Sequence, residues 1–238
     1  MKKSNFLRFI EKYHLGGIVE SVKWNVKNKT LDVKFISEDM VLIGNVTLKD
    51  MEMDDTEFGI YTTSELLKMF SALETEIKVD VVEYDGKPVN MLFTDDKKKS
   101  VYILSDPAII PKSATPKKMP DWNIEIDLSE EFIDTYIKCK NALADTSSFA
   151  IQGDGTEAEL IIGYSDNNTN RTSWKEKATV NEELLPIMFN AEYFKSVLVA
   201  NKNMTKGKMS VSSAGLMMVE FEEGEYTSKY FMVQLQQG

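Results

Sequence analysis

The sequence predicts an α+β protein of two similar domains, each with antiparallel sheets and two helices on one face. Three observations lead there. Most of the chain alternates or is rich in β-branched residues, broken by polar turns. Four segments depart from this with helical periodicity, starting near residues 4, 63, 129 and 190, at spacings of 59, 66 and 61 residues. Near-equal spacing is the mark of a unit of one helix plus several strands used four times. The stretch "DPAIIPKSATPKKMPDW" holds four of the six prolines and neither pattern, so it is read as a connector. The expected division is residues 1–107, a connector at 108–120, and residues 121–238.

The strands are "ESVKWNVKNKTLDVKFI", "IKVDVVEYDGKPVNMLFTDDKKKSVYILS" and "KMSVSSAGLMMVEFEEGEYTSKYFMVQL". Asp85-Gly86, "TDDKKKS", Gly153-Asp154-Gly155 and "EEGE" supply the turns. The first helix follows Ser4, with Phe6, Leu7, Ile10 and Tyr13 on one face. The second opens on Thr62 and Glu65, a candidate capping box, and buries Leu66, Leu67, Met69, Phe70 and Leu73. The third follows Ser129, with Glu130 and Glu131 in the first turn where the helix dipole favours acids. It buries Phe132, Ile133, Tyr136, Ile137 and Leu143. The fourth is capped by Asn190 and buries Tyr193, Phe194, Val197 and Leu198.

Composition narrows the function. At 42% hydrophobic and 28% charged, the 238 residues form a globular chain. No apolar run approaches the ~18 residues that span a bilayer. Arg8, Glu11 and Lys12 interrupt any signal-peptide core at the N-terminus, so a cytoplasmic location is expected, and the Asn-x-Thr triplets are read as chance. Cys139 and His14 are the only cysteine and histidine, and both are read as structural. That removes thiolate clusters, His-based metal sites and Ser–His catalysis. The acidic runs at Asp54, Asp55 and Glu57 and at Asp95-Asp96 fall in turns, where solvated acids are ordinary. "DNNTN" at 166–170 begins like a calcium loop, but Arg171 replaces the required glycine and Lys177 the closing glutamate. No Gly-rich phosphate loop is present. Neither catalysis, a metal nor a cofactor is expected.

The formal net charge is −10, yet the charge is unevenly placed. Residues 2–14, 63–73, 129–144 and 190–203 carry +3, 0, −1 and +1, leaving −13 on the rest. On helical wheels Arg8 and Lys12, Lys68, Lys138, and Lys195 with Lys202 fall opposite the apolar faces. Lys140 falls nearer the apolar side and must snorkel or take another role. Lysine is a good helix former and suits any solvated face, but four helices agreeing against an acidic remainder implies a basic surface.

In its order of helix, strands, helix, strands, connector, and the same again, the sequence resembles a DNA polymerase sliding clamp, or processivity factor. The likeness is closest to clamps of large tailed phages and more distant to proliferating cell nuclear antigen. It is most specific at the C-terminus, in "FNAEYFKSVLVANK", "GKMSVSS", "GLMMVEFEEGE" and "KYFMVQLQ". "SDPAIIPKS" and "FIDTYIKCKNAL" are similar too. The resemblance implies the DNA-clamp fold and a homotrimeric ring of six domains, its helices around sequence-independent duplex DNA. Lys2, Lys3, Arg8, Lys12, Lys68, Lys138, Lys140, Lys195, Lys202 and Lys206 would then face the DNA. It implies a DNA polymerase and a separate ATP-driven clamp loader as partners, whose peptides enter an apolar pocket. Ile109, Ile110 and Pro111 match its connector side, and Met232 and Leu235 its strand side. The alternative is a non-DNA-binding phage structural or scaffold protein with two similar α+β domains, which gives no reason for basic helix faces.

Overall fold

A computed structural model describes residues 2–113, 116, 118–165 and 169–236. The start of the calcium-loop-like run, at 166–168, and connector positions 114, 115 and 117 lie outside the described residues. The chain divides into two units. One comprises Met1–Glu38, Ile43–Ala114 and Glu225–Ser228; the other Asp39–Leu42, Thr115–Gly224 and Lys229–Gly238.

The first unit runs α1 (Lys3–His14), β1 (Val22–Lys27), β2 (Thr30–Ile36), β3 (Leu42–Leu48), β4 (Thr56–Ile60), α2 (Thr63–Ser71), β5 (Lys78–Tyr84), β6 (Lys87–Thr94) and β7 (Lys99–Ile103). Its strands form two antiparallel arrays, β3-β2-β1-β4 and β5-β6-β7. Alternation decides which face each strand buries: Val22, Trp24 and Val26 of β1 point inward, while Lys23 and Lys27 point out. Trp24 is the centre of the core. Phe6 stacks on it at 6.1 Å, Phe9 meets it edge-on at 5.6 Å, and Phe58 lies at 5.8 Å. Its indole N–H donates to the buried Tyr13 hydroxyl at 3.3 Å, which gives the ring's one polar atom a partner. Phe70 of α2 packs on Phe93 of β6 at 4.5 Å and on Phe6 at 5.7 Å, which joins the two helices.

The second unit runs β8 (Ile124–Leu128), α3 (Glu130–Ala142), β9 (Ser148–Asp154), β10 (Glu157–Ile162), β11 (Thr172–Lys177), β12 (Thr179–Val180), β13 (Leu184–Asn190), α4 (Ala191–Ala200), β14 (Lys206–Ser212), β15 (Leu216–Glu223) and β16 (Tyr226–Val233), of which the residues up to Ser228, Tyr226 among them, belong to the first unit. Its arrays are β12-β8-β14-β15-β16 and β11-β10-β9-β13. Tyr136 of α3 and Phe194 of α4 meet at 4.7 Å, and both pack on Phe149 of β9, at 5.3 and 5.0 Å. The Tyr136 hydroxyl donates to the Ala191 carbonyl at 3.1 Å. Buried Asn201 donates to Val197 O and to the Tyr230 hydroxyl, tying the end of α4 to β16.

Local chemistry sets the ends. Ser129 accepts from the Phe132 N–H at 3.1 Å, and Asn190 from the N–H groups of Glu192 and Tyr193 at 3.0 Å each. Asp85 (φ 51°) and Gly86 (φ 69°) make the two-residue turn between β5 and β6. The Thr62–Glu65 capping box does not form, because the Thr62 side chain caps nothing. Glu20 does the work instead, its Oε2 accepting from the Ser64 N–H at 2.9 Å. The first helix begins one residue before Ser4, at Lys3, and takes no side-chain cap.

Candidate nucleic-acid interface and partner cleft

Each unit brings its two helices together, and the exposed sides of these helices are the candidate DNA face. In the first unit Lys2, Arg8 and Lys68 are exposed. Arg8 holds its guanidinium 5.9 Å from the centre of the Tyr226 ring. Lys3 is committed elsewhere: its Nζ donates to the Leu73 carbonyl beyond the end of α2. In the second unit Lys138 and Lys202 are exposed. Lys195 pairs with Glu192 one turn earlier at 3.6 Å, and Lys206, at the start of β14, pairs with Glu222 at 3.8 Å. Lys68, Lys138 and Lys202 form no ion pair among the described residues.

Two of the expected lysines do not face solvent. Lys12 is 1% exposed and lies 5.8 Å from the Tyr226 ring centre. The wheel missed Phe9, which is fully buried. Counting it turns the apolar face toward Lys12, about 60° from Phe9 at three residues' separation. Lys140 is 2% exposed. Four residues after buried Tyr136, it donates to Ala144 O at 2.8 Å and pairs with Glu192 at 3.2 Å, so it staples the end of α3 to the start of α4. The exposed helix faces are also less basic than the wheels imply. Glu11 and Glu65 share the first unit's helices, and Glu130, Glu131 and Asp134 are exposed on α3.

The partner-pocket residues separate in the same way. Ile109 is 60% exposed, in a short 3-10 turn at Pro107–Ile109 capped by the Asp106 carboxylate. Ile110 is 6% exposed because its side chain lies over Gly59, where a Cβ would sit 3.1 Å from Ile110 Cγ1 and 2.8 Å from Ser105 O. Pro111 is exposed and borders a cleft of about 330 Å³ over the outer face of β1 and β2. That cleft is polar. Lys23 and Glu57 pair across it at 3.1 Å, and burial raises the Asp32 carboxyl above its ordinary range despite Lys34 beside it. Met232 is fully buried in the second unit and is core. Leu235 is half-buried and borders a cleft of about 500 Å³ with Pro186, Ile187 and Met188, its N–H donating to Met188 O at 2.8 Å. The apolar side chains around Leu235 therefore come from β13. The signal was the run "LLPIMF", whose proline marks an irregular edge strand, and a register shift does fall between Leu184 and Ile187.

Solved structures resemble this chain along its whole length. Proliferating cellular nuclear antigen from Entamoeba histolytica matches with a TM-score of 0.77 over 99% of this chain and 96% of its own, at 16% identity. The fold is that of a sliding clamp. The A. fulgidus PCNA solved with the C-terminal region of FEN-1 bound matches at 0.78, with 12% identity over 100% and 98% of the two chains. A chain of the Sulfolobus tokodaii PCNA2–PCNA3 complex matches at 0.75, with 9% identity over 98% and 97%. No family model matches the sequence, and neither does any curated protein. The clamp fold here holds no grouping of three His, Cys, Asp or Glu suited to a metal among the described residues. No helix among them is long and apolar enough to cross a membrane.

Proposed function

We propose that this chain is a sliding clamp, a non-enzymatic subunit that closes head to tail into a homotrimeric ring around duplex DNA and tethers a replicative polymerase. The observation that carries this reading is the clamp fold over essentially the whole chain, together with paired helices in each unit that expose Arg8 and Lys68, and Lys138, with Lys2 just ahead of α1 and Lys202 just beyond α4 also exposed. Unpaired ammonium groups spaced along helices suit a duplex whose phosphates repeat regardless of sequence, and few contacts leave the ring able to slide. Residues 1–107 and 121–238 act as the two clamp domains, with 108–120 as connector. The C-terminal sequence pattern supports a clamp like those of large tailed phages, acting in the cytoplasm of the infected cell and opened by a separate loader. The partner peptide sits at Leu235 with Ile187 and Met188 in the second unit, and exposed Ile109 in the first unit is a separate candidate contact. Head-to-tail closure needs two different surfaces. End strand β7, with Val101 45% and Ile103 70% exposed, is one, and end strand β11 is the other.

The test is topological. Protein cross-linked into closed rings on nicked circular duplex should stay bound in high salt and be released when the circle is cut. Release from the intact circle at the same rate as from linear DNA would overturn encirclement.

A further inference from the structure

The two units build one of their sheets alike and differ at one edge. In the second, the meander β14-β15-β16 follows α4, and β14 is covered on its outer side by β8, antiparallel from Gly207↔Leu128 to Val211↔Ile124. In the first, the meander β5-β6-β7 follows α2, and β5 ends the sheet. Just ahead of it, among the described residues, lie the bridge Lys2↔Glu76 and the Lys3 N–H bond to Thr75 O at 2.9 Å. The outer edge of β5 is thus a row of backbone N–H and C=O groups with no strand against it among the described residues.

A cleft of about 670 Å³ runs along this edge, between β5 and the segment 51–56. Its apolar lining is buried Met51 with half-buried Met53, Val79 and Val81. Its charged lining is one-sided: Glu52, Asp54, Asp55, Asp80 and Glu83 against Lys29. Asp80 is partly neutralised by Lys78 at 2.9 Å, and Asp55 accepts from the Asn28 N–H at 2.9 Å. Glu52, Asp54 and Glu83 form no ion pair among the described residues.

We propose that the β5 edge takes up an extended, lysine- or arginine-bearing segment of a partner protein as an added antiparallel strand. The second unit shows that a strand at the matching position is compatible with this architecture. Main-chain hydrogen bonds would hold the segment, and its alternate side chains would meet the carboxylates and the Met51–Val79–Val81 lining. The carboxylates set the class of partner: they attract a basic segment and repel nucleic-acid phosphate. The inference goes beyond the clamp reading and does not need a ring.

The probe is a fluorescein-labelled heptapeptide of alternating lysine and valine, titrated with the full chain by fluorescence anisotropy. Saturable binding is expected, weakened at least tenfold by Glu52→Lys/Asp54→Lys/Glu83→Lys and weakened further as salt rises. The same peptide N-methylated at alternate residues keeps its charge but loses donors, and should bind at least tenfold more weakly. Equal binding of the N-methylated peptide would overturn strand addition, as would equal binding of a glutamate–valine counterpart. A fall in the protein's mass by light scattering in the charge-reversed variant, with its melting transition intact, would assign the edge to a second copy of this chain and overturn the proposal. The N-methylated comparison uses only the unaltered protein, so it decides even where the variant folds poorly.

Discussion

Glu20 caps a helix that begins more than forty residues after it. Its Oε2 accepts from the Ser64 N–H at 2.9 Å, its carbonyl from the Thr63 N–H at 3.0 Å, and its Oε1 contacts the Ser64 hydroxyl and His14 Nε2. Burial pulls the carboxyl upward, but the Ser64 hydroxyl and N–H and the His14 contact outweigh it, so its pKa is below the ordinary value. A carboxylate held low in the folded state stabilises above its unfolded pKa of about 4.3, and that contribution is lost as pH falls through the folded value. Glu20→Gln should therefore cost about 1 kcal/mol at pH 7, a typical cap loss. In urea titrations the gap to wild type should shrink below about pH 4; a gap independent of pH would show that the charge contributes nothing. Adjacent Ile109 and Ile110 separate surface from core. Ile109→Glu should change stability by about 0.5 kcal/mol or less. Ile110→Glu buries a charge over Gly59 and should cost several-fold more, so only the Ile109 variant reports on partner binding. None of this is visible in sequence, because Glu20 and Ser64, or Ile110 and Gly59, meet only once the chain is folded.

At the scale of elements, what was legible was local. Ser129 and Asn190 cap the helices that directly follow them, and Asp85-Gly86 makes its own turn, so short windows of sequence carried these features. The helix faces were legible only in part. Phe6, Ile10 and Tyr13 marked the apolar side of α1, but omitting Phe9 misplaced Lys12, and a wheel drawn for α3 alone could not show Glu192 waiting for Lys140. These corrections sharpen the DNA prediction. Replacing Lys68, Lys138 and Lys202 together with alanine should cost about 0.5 kcal/mol or less per site. It should lower duplex affinity equally for all sequences and flatten the dependence of log K on log salt by about 0.9 for each phosphate no longer neutralised. Lys140→Ala is the contrasting variant. It strips a buried staple and should lower the melting temperature with little effect on the salt slope. If the triple variant keeps the wild-type slope, the exposed lysines do not touch phosphate.

At the scale of the molecule, the fold was legible although residue identity to the solved clamps is only 9–16%. Element order and the spacing of four helices survive substitution of nearly every residue, because strand alternation and helical faces ask only for apolar or polar character at each position. Subunit contacts have no such periodic signature. They show instead as exposed apolar side chains that the isolated chain leaves uncovered. For the ring proposed above, the side chains of this kind are Val101 and Ile103, exposed by 45% and 70%. Val101 and Ile103 lie on end strand β7, whose far edge has no neighbouring strand in the β5-β6-β7 array. A closing subunit would cover them, whereas a monomer would hold them in water. Ile103→Glu should leave the melting transition of the chain nearly unchanged, because the side chain is already solvated. It should nevertheless shift the light-scattering mass from three chains to one across a concentration series, since a carboxylate would have to be desolvated at the contact. A variant that remains trimeric would move the closure away from β7. A wild-type protein that stays monomeric at high concentration would remove the ring altogether, and a dimer would demand a different closure.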